Sequence, residues 1–126
     1  MPAPRLLDPV LASAPAAITI ALFSQRDCAF CEEVREHYLR PMLATLPRRI
    51  TIAEFELVGT RRVANRTGRS LTEAEFAREC KAKFAPTVMF LDAAGEALAP
   101  TIVGLSRDFF GAYLDQRIQI AFKAVG

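Results

Sequence analysis

Cys28 and Cys31 stand three residues apart in "SQRDCAFCEEV", residues 24–34, between an apolar run and a charged segment. Thiols so spaced on one helical turn have three uses: exchange with disulfides, a two-thiolate hold on a metal, or plain packing. Exchange needs surroundings that favour the anion, because a thiolate attacks disulfides and a thiol barely does. A helix N-terminus supplies them through unpaired N–H groups and roughly half a positive charge. Cys28, at the tip, is then the nucleophile. Cys31 lies one turn in, on the same side, and is the shielded thiol able to close a tight disulfide. Asp27, Glu32 and Glu33 oppose the anion, so the sequence predicts a milder nucleophile than a pair flanked by Lys or His. Zinc needs four ligands, and only His37 and Cys80 remain, neither at ligand spacing. His37 falls on the helix flank away from Cys28 and reads as a surface residue, and Cys80 as a partly buried free thiol.

The elements that must position the pair follow from the hydrophobic pattern. "AAITIALF", residues 16–23, is a short apolar run rich in β-branched residues and predicts a buried strand. From Cys28 a helix carries Cys31, Val34, Tyr38 and Met42 as one apolar stripe, with Arg35 intruding on its edge and Pro41 expected to kink or split it near residue 37. "RITIAEFELV", residues 49–58, predicts a second strand that places Ile50, Ile52, Glu54 and Glu56 on one face. The strand, helix and strand form a right-handed crossover with the cysteines where the first strand feeds its helix. Residues 59–70, with Arg61, Arg62, Arg66 and Arg69 among turn formers, read as an exposed loop insertion. Thr72 and Glu75 make a capping-box signature for a helix reaching about Lys83. Thr87–Leu91, a turn over "DAAG" and a strand ending at Gly104 predict a hairpin, Pro100 confining the second strand to a sheet edge or bulge. Ser106 is the expected cap of a last helix with Phe110, Leu114, Ile118 and Ala121 inward and Asp108 in its first turn. Residues 6–13 suggest a short N-terminal helix.

These elements alternate as in an α/β layer fold, and 126 residues at 52% hydrophobic content suit a single domain spanning 1–126, with 1–15 as an N-terminal extension. Sixteen basic against fourteen acidic residues leave a charge of +2, too little to imply nucleic acid or a membrane surface as partner. No apolar run approaches the length of a bilayer span. Three cysteines are too few for a disulfide scaffold. The first residues are broken by Pro2, Pro4, Pro9 and Pro15, poor for a signal-peptide core, so either the chain is cytoplasmic or a leader has been removed.

Two further stretches join the cysteine pair. "FAPTVMFLD" puts Pro86 at the entry of an apolar strand, and "VGLSRDFFGAYLDQRI" puts Gly104 at the end of an edge strand before the last helix. With "CAFC" these resemble the thioredoxin superfamily over about residues 17–122. The resemblance implies a mixed central sheet of four or five strands flanked by helices on both faces. It implies a cis bond at Ala85–Pro86, with Ala85, Pro86 and Gly104 contacting substrate, and a thiol-disulfide oxidoreductase without cofactor, acting mainly as a reductant. The insertion, "DCAFCEEV" and "YLRPML" are similar to the bacterial periplasmic proteins of the SoxS and SoxW type linked to sulfur oxidation. That likeness implies a monomer in the periplasm, a disulfide-containing protein substrate and an upstream thiol donor, there a membrane thiol transporter. A metal or copper chaperone using the pair as a thiolate clamp is the alternative. The sequence departs from thioredoxin in having Leu22 at the position of the family's buried aspartate. Glu54 is therefore a candidate proton acceptor for the resolving thiol, set against an exposed strand glutamate.

Overall fold

The structure is a computed structural model that describes residues 17–47, 49–64 and 69–125. The expected helix at 6–13, the extension at 1–15 and Arg66 lie outside them. The apolar run forms β1 (Ile18–Ser24), buried throughout. It pairs in parallel with β2 (Ile50–Glu56), Ile18 opposite Ile50 and Leu22 opposite Glu54. On its other side β1 runs antiparallel to β5 (Thr87–Leu91), which pairs with the short edge strand β6 (Ile102–Val103). The mixed four-stranded sheet has the order β2-β1-β5-β6.

Period-two alternation divides the core between the two faces of the sheet. On one, Ile18, Ile20, Leu22, Ile50 and Ile52 pack with Val34 and Leu39 and with Phe110, Leu114 and Ala121 of the last helix. On the other, Phe23 and Phe55 meet Phe76 of the helix over Glu73–Glu79, with ring centroids 5.5 and 4.6 Å apart for Phe23–Phe55 and Phe55–Phe76.

The first helix starts as α1 (Ala29–Glu33), widens into a π-helical turn over Val34–Leu39, and tightens into a 3-10 turn over Arg40–Ala44. Pro41 has no N–H to offer the residue 37 carbonyl. The expected split is met by this widening, in which the Arg40 N–H reaches back to the Arg35 carbonyl.

Several expectations are corrected. The described part of residues 59–70 is not a bare loop: β3 (Arg62–Ala64) and β4 (Ser70–Thr72) pair antiparallel and bury Val63 and Leu71. Val63 beside Arg62, and Leu71 between Ser70 and Thr72, were the missed signal. Helix α2 (Glu73–Glu79) has the Thr72–Glu75 capping box, whose Thr72 hydrogen bonds hold the Glu75 carboxyl below its ordinary range. It ends four residues short of Lys83, because Lys81 turns left-handed at φ 62° and the Ala82 N–H bonds back to the Ala77 carbonyl. The strand after the "DAAG" turn is reduced to β6 and a single bridge, Leu91 to Ala97, with Pro100 between them. Helix α3 (Phe110–Ala124) starts later than expected. The Ser106 carbonyl, not its hydroxyl, accepts the Phe110 N–H at 2.7 Å, and Asp108 lies in the turn before the helix.

Candidate active site

After Ser24 the chain leaves β1 through a turn in which Asp27 adopts a left-handed φ of 55°, a conformation Asp tolerates better than most residues. This delivers Cys28 to the N-cap position of α1, where its sulfur accepts the Cys31 N–H at 3.1 Å. Cys28 and Cys31 are joined as a disulfide, with Cα atoms 5.2 Å apart. Cys28 is partly exposed and Cys31 is 0% exposed, the asymmetry that separates an attacking thiol from a resolving one.

The residues expected to meet substrate converge on the same end of the sheet. Phe23 of β1 is paired with Thr87 of β5, so Pro86 lies at the end of β1 from which the chain passes to Cys28. The Ala85–Pro86 bond is cis. Gly104, at φ 81°, donates its N–H to the Pro86 carbonyl at 2.8 Å, which ties Ala85, Pro86 and Gly104 into one edge. Phe30, between the cysteines, is 53% exposed, and Phe84 and Val103 are also open to solvent.

Glu54 is not an exposed strand residue. It is buried beneath the helix with Arg35 and Ser24. Arg35 Nε donates to Glu54 Oε1 at 2.8 Å and Nη2 to Oε2 at 2.7 Å, while the Ser24 hydroxyl donates to Oε2 at 2.8 Å. Hydrogen bonding to Glu54 holds the Arg35 guanidinium above its ordinary range, outweighing burial. The sequence reading missed this role for Arg35; opposite charges on two otherwise apolar faces were the available sign.

Glu33 is also altered by a partner the sequence did not suggest. Arg107, from the loop after β6, donates to both its oxygens at 2.9 and 2.8 Å and lies 5.6 Å from the Phe30 ring centroid. The Arg107 hydrogen bonds hold the Glu33 carboxyl below its ordinary range. Of the three acids expected to oppose a Cys28 thiolate, one is therefore paired with a cation. No local pattern marks Arg107, 74 residues away.

His37 is exposed, as expected, and Cys80 is a half-buried free thiol pushed up to about 12, by burial first and Glu79 second. Among the described residues there is no group of three or more His, Cys, Asp or Glu able to hold a metal. None of the described helices is long and apolar enough to cross a membrane.

None of the curated proteins matches the chain in sequence. Solved structures do. Thioredoxin O2 from Arabidopsis thaliana in its oxidized state is 13% identical, with a TM-score of 0.58 over 84% of this chain and 81% of that one. Thioredoxin from Trypanosoma brucei brucei is 16% identical, with a TM-score of 0.55 over 84% and 79%. The periplasmic thioredoxin SoxS from Paracoccus pantotrophus, in reduced form, is 16% identical, with a TM-score of 0.53 over 82% and 98%. These likenesses show the thioredoxin fold. The family model for a thioredoxin-like domain matches residues 8–117, and with the cysteine pair at the tip of α1 it shows that the chain belongs to the thioredoxin-like domain family.

Proposed function

We propose that the chain is a thiol-disulfide oxidoreductase that works mainly as a reductant of protein disulfides. The observation that carries this reading is the asymmetric Cys28–Cys31 disulfide, one sulfur accessible at a helix tip and the other fully buried. The Cys28 thiolate attacks a substrate disulfide, forming a mixed disulfide and releasing one substrate thiolate. Cys31 then attacks the Cys28 sulfur, closes the internal disulfide and releases the second substrate sulfur. A thiol donor restores the dithiol.

The edge made by Ala85, Pro86 and Gly104 is the proposed docking strip for an extended substrate segment, whose backbone would pair with Ala85. Phe30, Phe84 and Val103 offer that segment apolar side-chain contacts. The likeness to a periplasmic thioredoxin supports a periplasmic setting, with a removed leader and a membrane thiol transporter as donor; cytoplasm is the alternative. A role of the SoxS or SoxW type and a monomeric state belong to the same proposal.

The test is trapping. Cys31→Ser should freeze substrates on Cys28 as mixed disulfides that dithiothreitol releases, Cys28→Ser should trap nothing, and the unaltered protein should reduce insulin. A Cys28 no more reactive than an ordinary thiol removes the reading, and stoichiometric copper or zinc without insulin reduction replaces it with the thiolate clamp. A reduction potential above about −150 mV would reverse the reductive direction.

A further inference from the structure

A buried ion pair seldom stabilises a fold over well-packed apolar residues of the same volume, because desolvating both charges offsets their attraction. Arg35 and Glu54 are nevertheless placed in the layer under the active-site helix, Arg35 one turn beyond Cys31. Glu54 sits across from Leu22, on the sheet face that also packs against Val34 and Leu39, and is the carboxylate that the sequence offers as acceptor of the resolving thiol's proton. Its oxygens are engaged otherwise: Oε1 accepts Arg35 Nε–H, and Oε2 accepts both Arg35 Nη2–H and the Ser24 hydroxyl. These three donors fill both acceptor sites of Oε2 and one of Oε1, and a proton on the carboxyl would cancel the negative charge that strengthens the Arg35 bonds. Glu32 and Glu36 on the helix add to the attraction that fixes the Arg35 charge. From the other side Arg61 donates to the Glu54 carbonyl at 3.3 Å, with Glu73 3.6 Å from that guanidinium.

We infer that Arg35 is a positioning residue that locks Glu54 out of proton transfer, so that the Cys31 proton leaves through the exposed side of the site. This rests on the exchange reading. In the resolving step Cys31 gives its proton to solvent or to the departing sulfur, the resulting thiolate attacks the Cys28 sulfur, and the Cys28–substrate bond breaks.

The test uses the reduced full chain and 5,5′-dithiobis(2-nitrobenzoate), whose thionitrobenzoate is released first by Cys28 and then by Cys31. The rate of the second release is followed against pH. General acid–base catalysis contributes about 10²- to 10⁴-fold. If Glu54 took the proton, Arg35→Met/Glu54→Leu would slow the second release by that factor and remove an inflection from its profile, and the inference would be overturned. As a lock, the double variant keeps the profile shape and stays within about threefold, well short of a catalytic loss. Arg35→Met alone strands a buried carboxylate, which then binds a proton more readily and adds an inflection absent from the unaltered protein. A profile in that variant like the unaltered protein's would also overturn the inference. Should it fail to fold, the double variant decides. An absent first release would sink the exchange reading, and with it the inference that rests on it.

Discussion

Two arginines grip carboxylates in the same two-pronged way, one beneath the active-site helix and one at its rim. Arg35 holds Glu54 with side chains 9% and 3% exposed, and Arg107 holds Glu33 with 64% and 21% exposed. Contact lengths differ by no more than 0.2 Å between the pairs, Arg35 bonding at 2.8 and 2.7 Å and Arg107 at 2.9 and 2.8 Å. What separates them is water. Solvent competes for Arg107 and Glu33 and screens their attraction, whereas neither Arg35 nor Glu54 has a solvated state to fall back on. Equal geometry therefore implies unequal consequences when one partner is removed.

The largest expected effect is at the buried pair. Arg35→Met should destabilise the fold by about 3–5 kcal/mol, and Arg35→Met/Glu54→Leu should recover most or all of it, both read from urea unfolding. If the single variant costs no more than an exposed substitution, burial is not what distinguishes the pairs. Gly59→Ala probes a second buried carboxylate: a Cβ there would collide with Glu73, so overpacking should cost about 1–3 kcal/mol in the same assay.

Smaller effects come from pH. Cys80 has an ordinary value of 9.0 and a folded value of about 12, so its contribution to stability is full below pH 9.0 and fades as the pH rises toward 12. Alkylation of the folded protein at neutral pH should accordingly spare Cys80, and Cys80→Ala should flatten the alkaline loss. Glu33 is shifted the other way, below 4.5, so its contribution is present above that value and is lost as the pH falls through the folded value. Arg107→Gln should leave the unfolding midpoint almost unchanged at neutral pH, remove that acid dependence, and matter less still in high salt. A large loss of stability in this variant would erase the contrast between the two pairs.

The same contrast explains what could be read without a structure. Cys28, Cys31, the β1 and β2 runs and the Thr72 cap announce themselves through local spacing, and each occupies the expected place. Arg35 and Glu54 were visible only as polar interruptions on apolar faces, and their pairing depends on the β1–β2 register and the helix laid across it. Arg107 reaches Glu33 through a loop whose path no periodicity encodes. The β3–β4 hairpin was hidden because polar neighbours mask the inward Val63 and Leu71, and α2 stopped early through a left-handed lysine, where glycine is the usual signal.

The wide turn over Val34–Leu39 means that this helix carries one spare residue. Removing the exposed His37 would take up that spare residue ahead of the turn at Pro41, while both flanks keep their bearing. Removing a residue from the middle of α3 instead swings everything downstream by roughly 100° and pulls Ala121 out of the core. Length variants of this domain should therefore accumulate at residues 34–39 and be excluded from α3, a bias that a deletion scan scored by soluble yield would reveal.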